Sequence, residues 1–149
     1  MLVQKLNIKE FRGIKSCKEP INLSSFTVLI GRNNSGKSTI LEALSLLPAP
    51  RISDCIDGGD KIEFLKNLHR PGRSRGSGSN EYKSLIYLYA GTSIIEYYIN
   101  NIVLKIILEK NKFQVLSNEE NILGNNQKLA TFYNENQVKD LVNLVLFIP

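Results

Sequence analysis

The stretch Gly31-Arg-Asn-Asn-Ser-Gly-Lys-Ser38 constrains the fold more than any other part of the sequence, because it matches G-x-x-x-x-G-K-[ST] at every fixed position. It follows Phe26–Ile30, a nearly continuous apolar run typical of a strand buried on both faces of a parallel sheet. The predicted helix after the loop carries one apolar stripe, formed by Ile40, Leu41, Leu44 and Leu47. The order strand, glycine loop, helix predicts an α/β fold.

The residue types in this loop predict a site for a nucleoside triphosphate and Mg²⁺. Glycines permit backbone conformations that close a tight loop around an anion. The N–H groups of such a loop, together with those at the N-terminus of the helix, form a nest for phosphate oxygens. Lys37 can reach the β- and γ-phosphates and is the predicted catalytic residue. Ser38 offers its hydroxyl to the metal, and Thr39 offers a second hydroxyl near the phosphates.

The segments before the loop and after its helix have weaker patterns of secondary structure. Residues 2–10 alternate loosely between apolar and polar and predict a half-buried strand, followed by a turn at Gly13 and a second strand that ends near Ile21–Leu23. Residues 60–68 predict a short helix with three inward side chains, namely Ile62, Leu65 and Leu68. A flexible basic loop rich in glycine and serine is expected at about residues 70–80.

The second half of the chain predicts a β-rich antiparallel subdomain at about residues 84–116. Short polar gaps of hairpin length separate four β-rich runs, which are Ser84–Ala90, Ser93–Ile99, Ile102–Glu109 and Phe113–Leu116. Four tyrosines in this region are read as cross-strand packing residues, namely Tyr87, Tyr89, Tyr97 and Tyr98. A helix is predicted over Asn134–Leu144 and a buried strand over Leu144–Ile148.

Length and composition limit the class of protein. A chain of 149 residues fits one domain, and no apolar run approaches the roughly 20 residues of a membrane span, so no membrane partner is expected. Cys17 and Cys55 form no metal-binding motif and are expected to be reduced thiols in a cytoplasmic protein.

Charge is distributed unevenly along the chain. Residues 1–75 hold 13 Lys/Arg against 7 Asp/Glu, whereas residues 76–149 hold 6 against 7, so the basic half contains the loop. This asymmetry favours anionic partners, either nucleotide or nucleic acid.

Two segments together carry a family resemblance. They are Leu6-Asn-Ile-Lys-Glu-Phe-Arg-Gly-Ile14 and Phe26-Thr-Val-Leu-Ile-Gly-Arg-Asn-Asn-Ser-Gly-Lys-Ser-Thr-Ile-Leu-Glu-Ala-Leu44. They resemble the N-terminus of ABC-type AAA/SMC-like ATPases related to SMC, RecF and the OLD nucleases. The resemblance covers about a third of the chain, and it implies a P-loop NTPase fold of which residues 1–149 form an ATP-binding, N-terminal lobe, a partial domain.

The resemblance also implies which residues contact ATP and Mg²⁺. Arg12 matches a family arginine that the first strands place near the nucleotide, and Ser38 matches the residue that holds the metal. The predicted nucleotide-binding residues are Arg12, Gly31, Asn33, Asn34, Ser35, Gly36, Lys37, Ser38 and Thr39.

Two departures from the family pattern bear on catalysis. No apolar run ends in Asp-Glu, the acidic pair that would hold magnesium and activate water, and no LSGG-like signature is present. We therefore expect no hydrolysis by these residues alone, and we expect the remainder of the ATPase or a second protomer to complete the site. By elimination, Gln127 and Gln137 are candidates for the family's magnesium-sensing glutamine.

The functional reading keeps two alternatives open. The first is the ATP-binding lobe of an SMC/RecF/OLD-like ATPase that couples ATP binding and hydrolysis to DNA repair, maintenance or defence. The second is a nucleotide-dependent switch or assembly module without hydrolysis of its own. DNA is a candidate partner through Arg70, Arg73 and Arg75, for which a solvated loop is the rival reading. His69, the only histidine, receives no role from the sequence.

Overall fold

The computed structural model describes residues 3–47, 61–69, 82–117 and 120–121. The strands are β1 (Lys5–Phe11), β2 (Ile14–Ser16), β3 (Ile21–Asn22), β4 (Ser93–Ile99), β5 (Ile102–Leu108), β6 (Phe113–Ser117) and β7 (Glu120–Asn121). The helices are α1 (Lys37–Ser45) and α2 (Lys61–Leu68), and two short 3-10 helices span Lys83–Leu85 and Tyr87–Tyr89. The predictions for residues 70–80, for Asn134–Leu144 and Leu144–Ile148, and for Cys55, Gln127 and Gln137 lie outside the described residues.

The described strands form one sheet in which every pairing is antiparallel. Its order is β2-β1-β4-β5-β6-β7, and β3 also pairs with β1. The hairpin between β4 and β5 pairs Ile99 with Ile102 across a tight turn, in which Asn100 has a φ of 54°. Asparagine adopts this left-handed conformation more readily than most residues, so the turn matches its sequence. Three of the four predicted meander strands are therefore confirmed, and β1 confirms the strand predicted over residues 2–10.

The sheet packs one face against α1 and α2. Leu6 and Ile8 of β1 are fully buried on this face, together with Ile95, Tyr97 and Ile106 from the strands beside it. The contact with α1 includes a buried hydrogen bond, because the Tyr97 hydroxyl donates to the Ala43 carbonyl oxygen at 2.6 Å. This bond ties the centre of the sheet to the helix that follows the glycine loop.

A break in the alternation of β1 shapes the turn that places Arg12. Alternation would bury Glu10, but Glu10 has a φ of 54° and Phe11 is fully buried instead. Arg12 also has a positive φ, 53°, and its N–H donates to the Leu85 carbonyl oxygen at 3.0 Å. The turn between β1 and β2 is thereby held against the 3-10 helix Lys83–Leu85.

Two sequence predictions about β structure are wrong in the described residues. Phe26–Ile30 is not a strand, and Phe26 and Ile30 are 83% and 90% exposed, because no described strand lies alongside to pair with it. Ser84–Ala90 forms the two 3-10 helices rather than a strand. Its Leu88 and Tyr89 have φ values of 51° and 61°, which an extended strand does not allow.

The two helices were predicted correctly, and so was most of each predicted inward stripe. Of the stripe predicted for α1, Leu47 is buried and Ile40 and Leu44 pack against the core, whereas Leu41 is 52% exposed. The other buried side chains on α1 are Thr39, Glu42 and Ala43. On α2 Ile62 and Leu65 are buried as predicted, but Leu68 is 55% exposed. The buried face of each helix is the one that meets the sheet and the cavity, which periodicity alone cannot orient.

No helix in the described part of the chain is long and apolar enough to cross a membrane.

Candidate nucleotide-binding site

The loop Gly31–Ser38 leads directly into α1, and its geometry favours glycine at two positions. Gly36 precedes the helix with a φ of 89°, a left-handed conformation that costs little only for glycine. A side chain at Gly31 would place its Cβ 2.6 Å from the Ser35 hydroxyl, so the Ser35 side chain would have to move to make room for it. The N-terminus of α1 receives no hydrogen bond from a capping side chain. Its free N–H groups can therefore bind an anion.

The Lys37 ammonium lies across the loop. Its Nζ donates to the carbonyl oxygens of Gly31 and Arg32 at 2.8 and 2.7 Å and contacts the Ser35 hydroxyl at 3.4 Å. These acceptors are weaker partners for an ammonium group than a phosphate oxygen, because hydrogen bonds between two charged groups are the stronger ones. The lysine is thus placed at the mouth of the loop, within a short side-chain rotation of an anion bound there.

The loop forms one wall of a cavity of about 680 Å³, a size within the usual range for small-molecule sites. The β1–β2 turn, Glu42 of α1 and the residue after α2 form the second wall, and the 3-10 helices form the third. The lining residues are Arg12, Gly13, Asn34, Ser35, Gly36, Lys37, Ser38, Thr39, Glu42, His69, Ser84, Ile86, Tyr87, Leu88 and Tyr89.

The second wall contains a buried carboxylate between two nitrogen donors. Glu42 is 5% exposed, and its two oxygens accept from Arg12 Nε at 3.0 Å and from His69 Nε2 at 2.9 Å. Burial lowers the pKa of His69 below its ordinary 6.5, and the nearby Arg12 adds to this, outweighing the attraction of Glu42. His69 is therefore neutral near pH 7, so Glu42 and Arg12 form the charged pair.

The third wall is apolar and aromatic. Tyr87, Leu88 and Tyr89 line the cavity from a backbone that is left-handed at two consecutive residues. Leu88 and Tyr89 are 75% and 58% exposed, although large apolar side chains usually pack against neighbours. Strained backbone and exposed apolar surface at a cavity rim are features that occur at ligand sites.

The described residues fit a triphosphate with its metal. Lys37 and Arg12 supply two positive charges against the single carboxylate of Glu42, and the helix N-terminus adds a partial positive charge. Ser38 is exposed at the first turn of α1, where its hydroxyl can bind Mg²⁺ once phosphate oxygens supply further ligands. The described residues contain no cluster of three His, Cys, Asp or Glu side chains that could bind a metal unaided.

Most of the residues predicted from the sequence meet in this cavity. Arg12, Asn34, Ser35, Gly36, Lys37, Ser38 and Thr39 line it, whereas Gly31 and Asn33 belong to the loop but do not line the cavity. Sequence reasoning missed Glu42 and His69, and it assigned Tyr87 and Tyr89 to strand packing. The spacing of Glu42, four residues past Ser38 and therefore on the same face of the predicted helix, is a sequence signal that could have found it. His69 carried no such signal, because only the packing of α2 brings it to the site.

Comparisons with known proteins show the family to which the chain belongs. Together, loop, helix and cavity define a nucleotide-binding domain of mixed helices and antiparallel sheet. The chain belongs to the AAA ATPase domain family, which its residues 1–144 match, and it is therefore an ATP-binding domain of the ATPase class. It is also similar to an uncharacterized protein of Methanocaldococcus jannaschii, with 44% identity over 45 residues. That match covers 30% of this chain and 20% of the length of the relative.

Proposed function

We propose that this chain is the ATP-binding lobe of an ABC-type ATPase related to SMC, RecF and OLD proteins. It binds ATP with Mg²⁺ in the cavity beside α1, and the bound state is coupled to DNA-related work. The observation that carries the proposal is the placement of Lys37, Ser38 and Arg12 around one cavity at the N-terminus of α1. The AAA ATPase family supports ATP as the nucleotide. The DNA-related role rests on the resemblance of residues 6–44 to this group of ATPases.

Each wall of the cavity has a role in this proposal. The loop and Arg12 hold the phosphates, Ser38 ligates Mg²⁺, and the apolar wall Tyr87–Tyr89 faces the base and ribose. Adenine has a planar apolar face, which packs well against tyrosine and leucine side chains. The arrangement thus matches a charged end and an apolar end to the two halves of one ligand.

The second candidate function is a nucleotide-dependent switch or assembly module that binds ATP without hydrolysing it. One observation favours it for the described residues. Glu42 is the one carboxylate that lines the cavity, and both of its oxygens are engaged by Arg12 and His69. A general base must reach the attacking water, and Glu42 is 5% exposed with a donor already at each oxygen, which disfavours that role. Hydrolysis would require a carboxylate from further polypeptide or from a second protomer.

Calorimetric titration with ATP and Mg²⁺ tests the site. Lys37→Ala should raise the Kd by about 10- to 150-fold, since a hydrogen bond between charged groups contributes about 1.5–3 kcal/mol. Lys15→Ala is the matched control, because it removes the same charge from an exposed position in β2 outside the cavity. Equal affinities of Lys37→Ala and Lys15→Ala would refute the proposal.

Two further titrations separate the metal from the base. Ser38→Ala should remove the gain in ATP affinity that Mg²⁺ gives, while leaving binding of metal-free ATP close to that of the wild type. Tripolyphosphate carries the charged end of ATP without the base, so it should bind more weakly than ATP. Equal binding of the two compounds would exclude a role for Tyr87–Tyr89 in holding the base.

A further inference from the structure

The contacts of Glu42 set it apart from the other charged side chains at the cavity. Glu42 lies one turn after Ser38 on the same face of α1, and its side chain is 7% exposed. A carboxylate with so little access to water is tolerated only where donors replace the lost hydration. Arg12 provides one donor and His69 the other, one to each carboxylate oxygen. Three segments distant in sequence are thus joined at one carboxylate.

The bond to Arg12 uses only part of the guanidinium group. In the described ranges, Arg12 binds Glu42 through Nε and makes no other side-chain hydrogen bond, so both terminal nitrogens stay available. Its side chain is 25% exposed and lines the cavity. An arginine held at Nε keeps its planar fork in a defined orientation, and such a fork binds two phosphate oxygens at once. Glu42 therefore orients the group that is free to bind phosphate.

His69 completes the arrangement without adding a charge. Its Nε2 lies 2.9 Å from Glu42 Oε1, and as a neutral ring it donates an N–H there. A lysine or arginine in its place would compete with Arg12 for the negative charge of Glu42. His69 follows α2 directly, and its own N–H donates to the Leu65 carbonyl oxygen at 3.2 Å. Leu65 and Ile62 are buried in the core, so α2 holds the His69 backbone in a fixed position.

We propose that His69 and Glu42 are positioning residues for Arg12, and that together they hold its guanidinium where the phosphates of the nucleotide bind. The proposal rests on the proposed function, since it requires a triphosphate in the cavity. It assigns a role to α2 as well. When the nucleotide binds Arg12, it also contacts Glu42 and His69 indirectly through that arginine. The end of α2 is thereby connected to the occupied site by two hydrogen bonds.

A double-mutant cycle on ATP affinity tests the proposal. Arg12→Ala should raise the Kd for ATP with Mg²⁺ by about 10- to 150-fold. His69→Ala should raise it by about fivefold or more in the wild type, but by less than about twofold when Arg12 is already alanine. His69→Gln keeps an N–H donor at similar reach and should recover most of the affinity. A merely structural role for His69 would give the same fold-change in both backgrounds, and that result would overturn the proposal.

Glu42→Gln gives a second test, because the positioning role and a purely electrostatic role of Glu42 predict opposite changes in ATP affinity. Removing a negative charge from a triphosphate site should tighten binding if only Coulomb forces act. If Glu42 positions Arg12, the same change should weaken ATP binding by about fivefold or more. Tighter binding by Glu42→Gln would overturn the proposal.

The failure of this proposal can be told from the failure of the proposed function. If the wild-type chain does not bind ATP, or if Lys37→Ala binds as the wild type does, both proposals fall. If Lys37→Ala loses affinity while His69→Ala and Glu42→Gln do not, only the positioning role falls. Thermal unfolding of each variant identifies any that has lost its fold. If one of His69→Ala, His69→Gln and Glu42→Gln is unfolded, the ATP affinities of the other two decide whether His69 and Glu42 position Arg12.

Discussion

The conformation of Gly36 offers a sharp test of how the loop is built. An alanine at this position would keep a φ near 89°, which costs an L-residue about 1–2 kcal/mol. Its Cβ would also lie 3.3 and 3.4 Å from Cγ1 and Cδ1 of Ile14, closer than most such contacts allow. Overpacking of this kind costs about 1 kcal/mol or more, so Gly36→Ala should lower the free energy of unfolding by about 2–3 kcal/mol.

Gly91 provides the matched control. Its φ is 92°, nearly the same as that of Gly36, but a Cβ at Gly91 would meet nothing within 4 Å. Gly91→Ala should therefore show the backbone cost alone, about 1–2 kcal/mol. Urea unfolding followed by circular dichroism measures both variants, and the difference between them isolates the contact with Ile14.

Nucleotide binding should separate the same two variants further. Relaxing the backbone at Gly36 turns loop N–H groups away from the anion, so Gly36→Ala should raise the Kd for ATP by about tenfold or more. Gly91 lies outside the cavity, so Gly91→Ala should bind ATP within about twofold of the wild type once it is folded. Equal stability loss and equal ATP affinity in the two variants would refute both the steric argument and the role of the loop.

Two other predictions concern the sheet. Tyr97→Phe removes the hydroxyl that donates to the Ala43 carbonyl oxygen, but that oxygen still accepts from the Leu46 N–H. The free energy of unfolding in urea should therefore fall by about 1 kcal/mol. No loss would mean that the bond is absent in solution. For Glu96, burial raises the pKa, but hydrogen bonds from Asn7 and Lys105 outweigh it and hold the pKa below its ordinary 4.5. Because the folded pKa is lowered, this stabilisation is present above pH 4.5 and is lost as the pH falls through the folded value. Unfolding free energies of the wild type and Glu96→Gln should therefore converge in acid, and a constant gap would contradict the assignment.

Local patterns predicted those elements whose partners are close in sequence. The hairpin β4–β5 and the strand β6 follow from alternating β-rich runs with short polar gaps, because a tight turn brings neighbouring strands together. Helix α1 follows from the glycine loop and the helix formers after it. Each of these elements is decided by interactions within about 20 residues.

Patterns failed where a distant partner decides the outcome. Phe26–Ile30 has the composition of a buried strand, but a strand forms only where another lies alongside, and no described segment does so. The run Ser84–Ala90 has strand-forming residues too, yet its backbone turns back at Leu88 and Tyr89 beside the cavity. Tertiary packing overrode propensity in Ser84–Ala90, whereas the described residues give Phe26–Ile30 no strand to pair with.

The candidate site divides in the same way. The sequence by itself determined the loop, because the spacing of Gly31, Gly36, Lys37 and Ser38 is local and each residue type has a separate physical reason. Only the tertiary structure decided the rest of the cavity. Arg12, Glu42 and His69 are joined at one carboxylate because the β1–β2 turn, α1 and α2 pack together, and the aromatic wall closes the cavity from a fourth segment. Contacts between segments 27 to 30 residues apart leave no periodic trace in a single sequence, so they become visible only once the chain is folded.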